Sequence, residues 1–137
     1  MKLPAIEPLK VESVDIRSSF LNRVVRLSII LPPNYQQKPY PVLWLNDGQD
    51  IASMNFTRIL EDLYEQKVIA HALVVGIHAN EDRLQEYGSS YTPDFKNRGA
   101  KAGLYAEFVV SELMPYIRNN YSVSRDKRKN SIAGWSM

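Results

Sequence analysis

The residues with the strongest chemical signature lie at Ser131-Ile132-Ala133-Gly134-Trp135-Ser136-Met137, where an apolar, strand-like approach runs into Gly-X-Ser-X. This is the front of a nucleophile elbow, in which a serine sits on a strained strand-to-helix turn and projects its hydroxyl above a parallel sheet. Gly134 suits that turn, because a bulky side chain would clash where it tightens. The competing reading of Ser136 is a serine that caps the following helix. A serine hydroxyl also needs a base to become a useful nucleophile, and the sequence has only His71 and His78. His71 precedes a strand-like run, at the end opposite the expected catalytic rim. His78 ends that run on the correct rim, where it reads as a loop residue with a satisfied imidazole rather than as the base.

Other polar groups carry weaker signals. Asp47, Asp50, His78, Glu81 and Asp82 fall on loops at one rim, but their spacing matches no metal-ligand template, and no metal is expected. Asp47 is expected to fix its loop by bonding its own backbone. Arg83 and Glu86 either form a structural ion pair, the favoured reading, or shape a pocket. Trp44 and Trp135 read as core or pocket-wall residues, and no cofactor is expected.

The elements that must hold these groups are legible from periodicity. Lys10 to Ser18 alternates, with Val11, Ser13, Asp15 and Arg17 opposite Glu12, Val14 and Ile16. Arg23 to Leu31 places Val25, Leu27, Ile29 and Leu31 on one face. Ser19-Phe20-Leu21-Asn22 is short enough to join them as an antiparallel hairpin, and Pro32-Pro33 ends the second strand. Pro41 to Asn46 and Ala72 to Ile77 are apolar on both faces, as in strands covered on both sides of a parallel sheet. Asp47-Gly48 could turn a hairpin, but no strand-like run follows, so a loop at a strand's carboxyl end is expected. Thr57 to Lys67 reads as a helix with an apolar stripe. His78 to about Gly103 is polar and without periodicity, a length of loop that is usually functional or disordered. Leu104 to Ile117 marks a long helix that Pro115 should kink, and Lys129 to Gly134 is the last strand. A hairpin followed by βαβαβ implies a parallel sheet with helices on its faces.

Four ordered motifs resemble the putative-esterase family of α/β-hydrolases, which includes esterase D, enterochelin esterase-like enzymes, feruloyl esterases and the mycolyltransferase antigens. Tyr40-Pro41-Val42-Leu43-Trp44-Leu45-Asn46-Asp47-Gly48-Gln49-Asp50 is similar to the family's third strand and the loop after it. Val74-Val75-Gly76-Ile77 with Arg83-Leu84-Gln85-Glu86-Tyr87 resembles its next strand and R-x-x-E-Y loop. Tyr105-Ala106-Glu107-Phe108 with Glu112-Leu113-Met114-Pro115-Tyr116-Ile117 resembles the helix before its elbow, and Ile132 to Met137 resembles the elbow itself. The likeness runs from about Val24 onward. It implies that Ser136 is the nucleophile of an acyl-enzyme mechanism on carboxylic esters. It implies oxyanion-hole donors in the backbone N–H groups of Met137 and Gln49, with Gly48 letting the backbone approach the substrate closely. Asp47, Gly48, Arg83, Glu86 and Trp135 would then belong to the substrate pocket. In the family the catalytic acid and histidine follow the serine in chain order. No such residues follow Ser136 here, so this chain alone is expected to be an inactive N-terminal half.

Composition bounds the rest. With 137 residues and 45% hydrophobic content, residues 1–137 can form one domain around one core. The net charge of +2 is spread out, and the run Arg125, Lys127, Arg128 and Lys129 is broken by Asp126, which argues against nucleic-acid binding. There is no cysteine, and no stretch approaches membrane-spanning length. The N-terminus, interrupted by Pro4, Glu7 and Pro8, lacks a signal-peptide core. A cytoplasmic protein is expected, although a removed leader would leave no trace. The expected partners are a small-molecule ester and either a second copy of the chain or a complementing C-terminal half, because the Asn130–Gly134 strand would otherwise be an open edge. The alternative to an esterase is a non-catalytic α/β binding or assembly module.

Overall fold

A computed structural model describes residues 7–88 and 98–135. Its five strands are β1 (Lys10–Ser18), β2 (Arg23–Leu31), β3 (Val42–Asn46), β4 (Leu73–Ile77) and β5 (Asn130–Ala133). They form one sheet in the order β1-β2-β4-β3-β5. β1 and β2 make the expected antiparallel hairpin, and β2 also runs antiparallel to β4. β3 is parallel to both β4 and β5. The chain thus steps outward from β3 to β4, then crosses back over β3 to lay down β5, which makes the carboxyl end of β3 a topological switch point.

Helices cover both faces because the strands are apolar on both. Helix α1 (Phe56–Glu65) returns the chain from β3 to β4, one residue earlier at its start and two at its end than the periodicity indicates. Its Leu60 and Tyr64 pack with Ile30, Leu45, Ile51 and Val74 on one face of the sheet. The other face carries the larger core, where Val25, Leu27, Ile29, Trp44, Val75 and Ile77 meet Phe108, Leu113 and Ile117. Trp44 is a core residue, and its indole N–H donates to Asn130 Oδ1 of the β5 edge at 3.0 Å.

The segment after β4 differs from expectation in two respects. A short helix, α2 (Arg83–Glu86), interrupts the polar stretch that showed no periodicity; four residues are too few for an apolar stripe to register. The long helix is not simply kinked at Pro115. It runs as α3 (Ala102–Phe108), a π-helical turn (Val109–Leu113) and α4 (Met114–Asn120). Pro115 has no N–H to offer the carbonyl four residues back, and its ring crowds that carbonyl. The wider turn just before it absorbs the conflict while the helix continues. The π-turn also carries Glu112, whose carboxylate accepts from the Ser18 hydroxyl at 2.7 Å and the Ser19 N–H at 2.9 Å, tying the tip of the hairpin to this helix.

Candidate active site

The carboxyl end of β3 delivers Asn46 and Asp47 to the switch point, and the chain there turns abruptly. Asp47 is in the left-handed region (φ 57°, ψ 46°), and a single 3₁₀ turn, Gly48–Asp50, follows. Asp47 is buried, and its carboxylate does not bond its own backbone as the sequence led one to expect. It takes a bidentate grip from Arg83, with Nε to Oδ1 at 2.8 Å and Nη2 to Oδ2 at 2.7 Å, and a further bond from Gln49 Nε2 at 2.9 Å. The Asp47 N–H donates to the Tyr87 hydroxyl at 3.1 Å. Burial pushes the Asp47 carboxyl up, but the bonds from Arg83 and Gln49 outweigh it and hold the group below the ordinary carboxylate range.

Arg83 and Glu86 are therefore not partners of each other, which corrects the favoured sequence reading. Glu86, 1% exposed, pairs instead with Arg23 at the start of β2, Nε to Oε2 at 2.9 Å and Nη2 to Oε1 at 2.7 Å. Residues three apart on a helix point in related directions, but each of these side chains meets an opposite charge on another element, Asp47 after β3 for Arg83 and Arg23 of β2 for Glu86. The two pairs staple α2 to β2 and to the turn after β3. Gly99 N–H to Leu84 O at 2.8 Å, Lys101 N–H to Gln85 O at 2.7 Å and the Lys101–Asp82 pair at 2.8 Å then join α2 to the start of α3.

Gly48 also meets a packing requirement of the fold. A Cβ there would lie 2.5 Å from the carbonyl carbon of Gly76 and 2.8 Å from the Ile77 nitrogen, so the turn packs directly on the backbone of β4. Gln49 sits at the exposed surface with both ends of its side chain engaged, Nε2 on Asp47 and Oε1 accepting from the Ala79 N–H at 2.8 Å. Its backbone N–H donates to no group among the described residues, as expected in the first turn of a helix.

β5 brings the elbow approach to the same place. The Cβ position of Gly134 is 3.4 Å from Asn46 Cβ, and the Trp135 indole N–H donates to Asp50 Oδ2 at 3.2 Å. Asn46 is held in turn by the Tyr105 hydroxyl, which donates to its Oδ1 at 2.5 Å. Burial, reinforced by neighbouring Tyr87 and Glu86, raises the Tyr105 phenol far above its ordinary value, so it stays a donor. Tyr87 packs edge-on against Tyr105. Asn46, Glu86, Tyr87, Tyr105, Gly134 and Trp135 wall a cavity of about 330 Å³. Sequence reading missed Asn46, Tyr87 and Tyr105, because Tyr105 reads as one more member of an apolar helix stripe. Ser136 and Met137 lie outside the described residues.

The two histidines separate as expected. His71 stands before β4 and packs edge-on against Tyr64 of α1, with ring centroids 4.8 Å apart. His78 follows β4, and its Nε2 is hydrogen-bonded to Ser28 Oγ at 2.7 Å. Burial, with a contribution from the Arg26 charge, lowers the His78 pKa and favours the neutral ring. Among the described residues no three His, Asp or Glu side chains are grouped to hold a metal ion, and no helix is long and apolar enough to cross a membrane.

Comparison with known proteins agrees with this geometry. The chain is 25% identical over 118 residues to the uncharacterized protein YbbA of Bacillus subtilis, an alignment covering 82% of this chain and 46% of that protein. An IroE-like serine hydrolase from Shewanella oneidensis superposes with a TM-score of 0.69 at 26% identity, covering 83% of this chain and 40% of the other. A CE1 ferulic acid esterase from Anaeromyces mucronatus superposes with a TM-score of 0.73 at 20% identity, covering 100% of this chain and 52% of the other. The chain thus spans about half the length of the relatives it matches, and its fold is that of the N-terminal half of an α/β-hydrolase. Residues 18–137 match the family model described as Putative esterase, and the chain belongs to that family of ester hydrolases.

Proposed function

We propose that this chain is the nucleophile-bearing half of a serine carboxylic-ester hydrolase. Ser136 attacks the ester carbonyl and forms an acyl-enzyme, and the backbone N–H groups of Met137 and Gln49 receive the developing oxyanion. The observation that carries this reading is the packing of Gly134-Trp135 against Asn46 and the Gly48–Asp50 turn, at the carboxyl ends of adjacent parallel strands. Ligands of open α/β sheets gather at that position, and fixed backbone dipoles aimed at a forming alkoxide need no reorganisation. The cavity walled by Tyr87, Tyr105 and Trp135 receives one arm of the ester. The acid and histidine come from a following segment, a complementing half of the molecule, or an assembly that supplies them.

Hydrolysis of p-nitrophenyl esters tests the proposal, with this chain alone and joined to the segment that follows it in its gene. The expected outcome is little or no turnover by the chain alone and clear turnover by the joined protein, abolished in Ser136→Ala. Removal of one member of a catalytic triad commonly leaves only about 10³–10⁴-fold over water. Turnover that persists in Ser136→Ala would refute the assignment.

A further inference from the structure

We propose that Arg83 is a positioning residue, whose bidentate hold on Asp47 fixes the left-handed backbone that presents the Gln49 N–H to the oxyanion. The inference rests on the serine-esterase reading above and assigns a residue to it that does not touch the substrate. Asp47 occupies a backbone region that is rare for residues with a side chain (φ 57°). Such a conformation persists only where its surroundings over-determine it, and here they do. The Asp47 N–H is bonded to the Tyr87 hydroxyl, one carboxylate oxygen to Arg83 Nη2, and the other to Arg83 Nε and Gln49 Nε2.

All the groups from outside the turn that grip Asp47 arrive on one short segment. Arg83 opens α2, Tyr87 follows it, and the Arg83 guanidinium lies 5.2 Å from the Tyr87 ring centroid. The consequence appears two residues later. Because both ends of the Gln49 side chain are occupied, its backbone cannot rotate without breaking the bonds to Asp47 and to the Ala79 N–H. The donor is aimed before any substrate arrives, and its aim depends on a guanidinium outside the walls of the 330 Å³ cavity. The planar fork matters as well as the charge, since lysine cannot reproduce a two-point grip.

The test compares Arg83→Met and Arg83→Lys with the parent in the joined protein, reading kcat and KM separately and urea stability alongside. Arg83→Met leaves a buried carboxylate unpaired, so Arg83→Lys, which keeps the charge, carries the test if the first does not fold. The expected result is a kcat lower by about 100-fold in Arg83→Met and about 10-fold in Arg83→Lys, with KM unchanged. In ¹⁵N spectra of the 137-residue chain, the Gln49 amide should shift and the Asp47 backbone couplings should leave their left-handed values. Folded variants that keep kcat, or an unmoved Gln49 amide, would overturn the proposal. Ser136→Ala run in parallel separates the two ideas. If it retains turnover, the serine reading fails; if it is dead while the Arg83 variants keep kcat, only the positioning role fails. The amide measurement decides even where no ester is turned over.

Discussion

Gly48→Ala isolates the contact on which the site geometry depends. The added methyl would lie 2.5 Å from Gly76 C, 2.8 Å from Gly76 O and 2.8 Å from Ile77 N, whereas ordinary contact begins at 3.4 Å. All three atoms are backbone in a fully buried strand, so no side chain can swing aside. Relief requires the turn and β4 to part by most of an ångström, which disturbs the β3–β4 ladder and moves the Gln49 N–H with it. Overpacking of a well-packed core costs about 1–3 kcal/mol and occasionally more; a clash confined to backbone belongs at the top of that range, at about 3 kcal/mol. For a chain of this size such a loss lowers Tm by on the order of 10 °C. Urea unfolding followed by circular dichroism reads it as a lower midpoint with an unchanged slope. Gly134→Ala is the internal control, because among the described residues its methyl would meet only Asn46 Cβ at 3.4 Å and the Asn46 amide nitrogen at 3.7 Å, and a much smaller loss is expected. A Gly48→Ala midpoint equal to that of the parent would refute the reasoning, since it would mean that the turn does not rest on β4.

Three further outcomes are expected. Glu86→Gln strips the partly buried Arg23 of its counter-charge (side chains 12% and 1% exposed), and urea unfolding should register a loss of up to about 3 kcal/mol; an unchanged midpoint would contradict the pairing. For His78, burial and the Arg26 charge lower the folded-state pKa below the ordinary 6.5, so below that value the unfolded state binds more protons. Stability therefore rises with pH through that window, and His78→Asn should flatten the profile between about pH 5 and 7; an equally steep profile in the variant would count against it. β5 pairs with β3 alone among the described residues, and its Ile132 is 70% exposed. Such an edge recruits another chain, so sedimentation of the isolated polypeptide should show a dimer or larger species, and a stable monomer would argue against the complementing-half reading.

Sequence and structure agree best where local pattern and final environment coincide. The alternation of β1 and β2 survives into the fold because one face of each is more buried. The unbroken apolar runs at β3 and β4 survive because helices cover both sides. Asp47-Gly48 is legible as a turn at a strand's carboxyl end, for the negative reason that no strand follows it. The partners of the charged residues were not legible. Arg83 finds Asp47 from 36 residues away, and Arg23 finds Glu86 from 63; no local periodicity encodes such distances, and nearness in sequence wrongly suggested an Arg83–Glu86 pair. The contact of Gly48 with Gly76 is equally invisible in the sequence, since that neighbour is known only once β3 and β4 are side by side. Pro115 announced an irregular helix, but whether the chain bends or widens there depends on how Phe108, Leu113 and Ile117 must all reach one core.

The central claim is that Ser136 is the nucleophile, and covalent labelling tests it most directly. A fluorophosphonate is added to the chain joined to the C-terminal half proposed to complete it, and the adduct is mapped by peptide mass spectrometry. The account requires one adduct, on Ser136, absent from Ser136→Ala and weak in the chain alone. An adduct on any other residue, or labelling undiminished in Ser136→Ala, would contradict it.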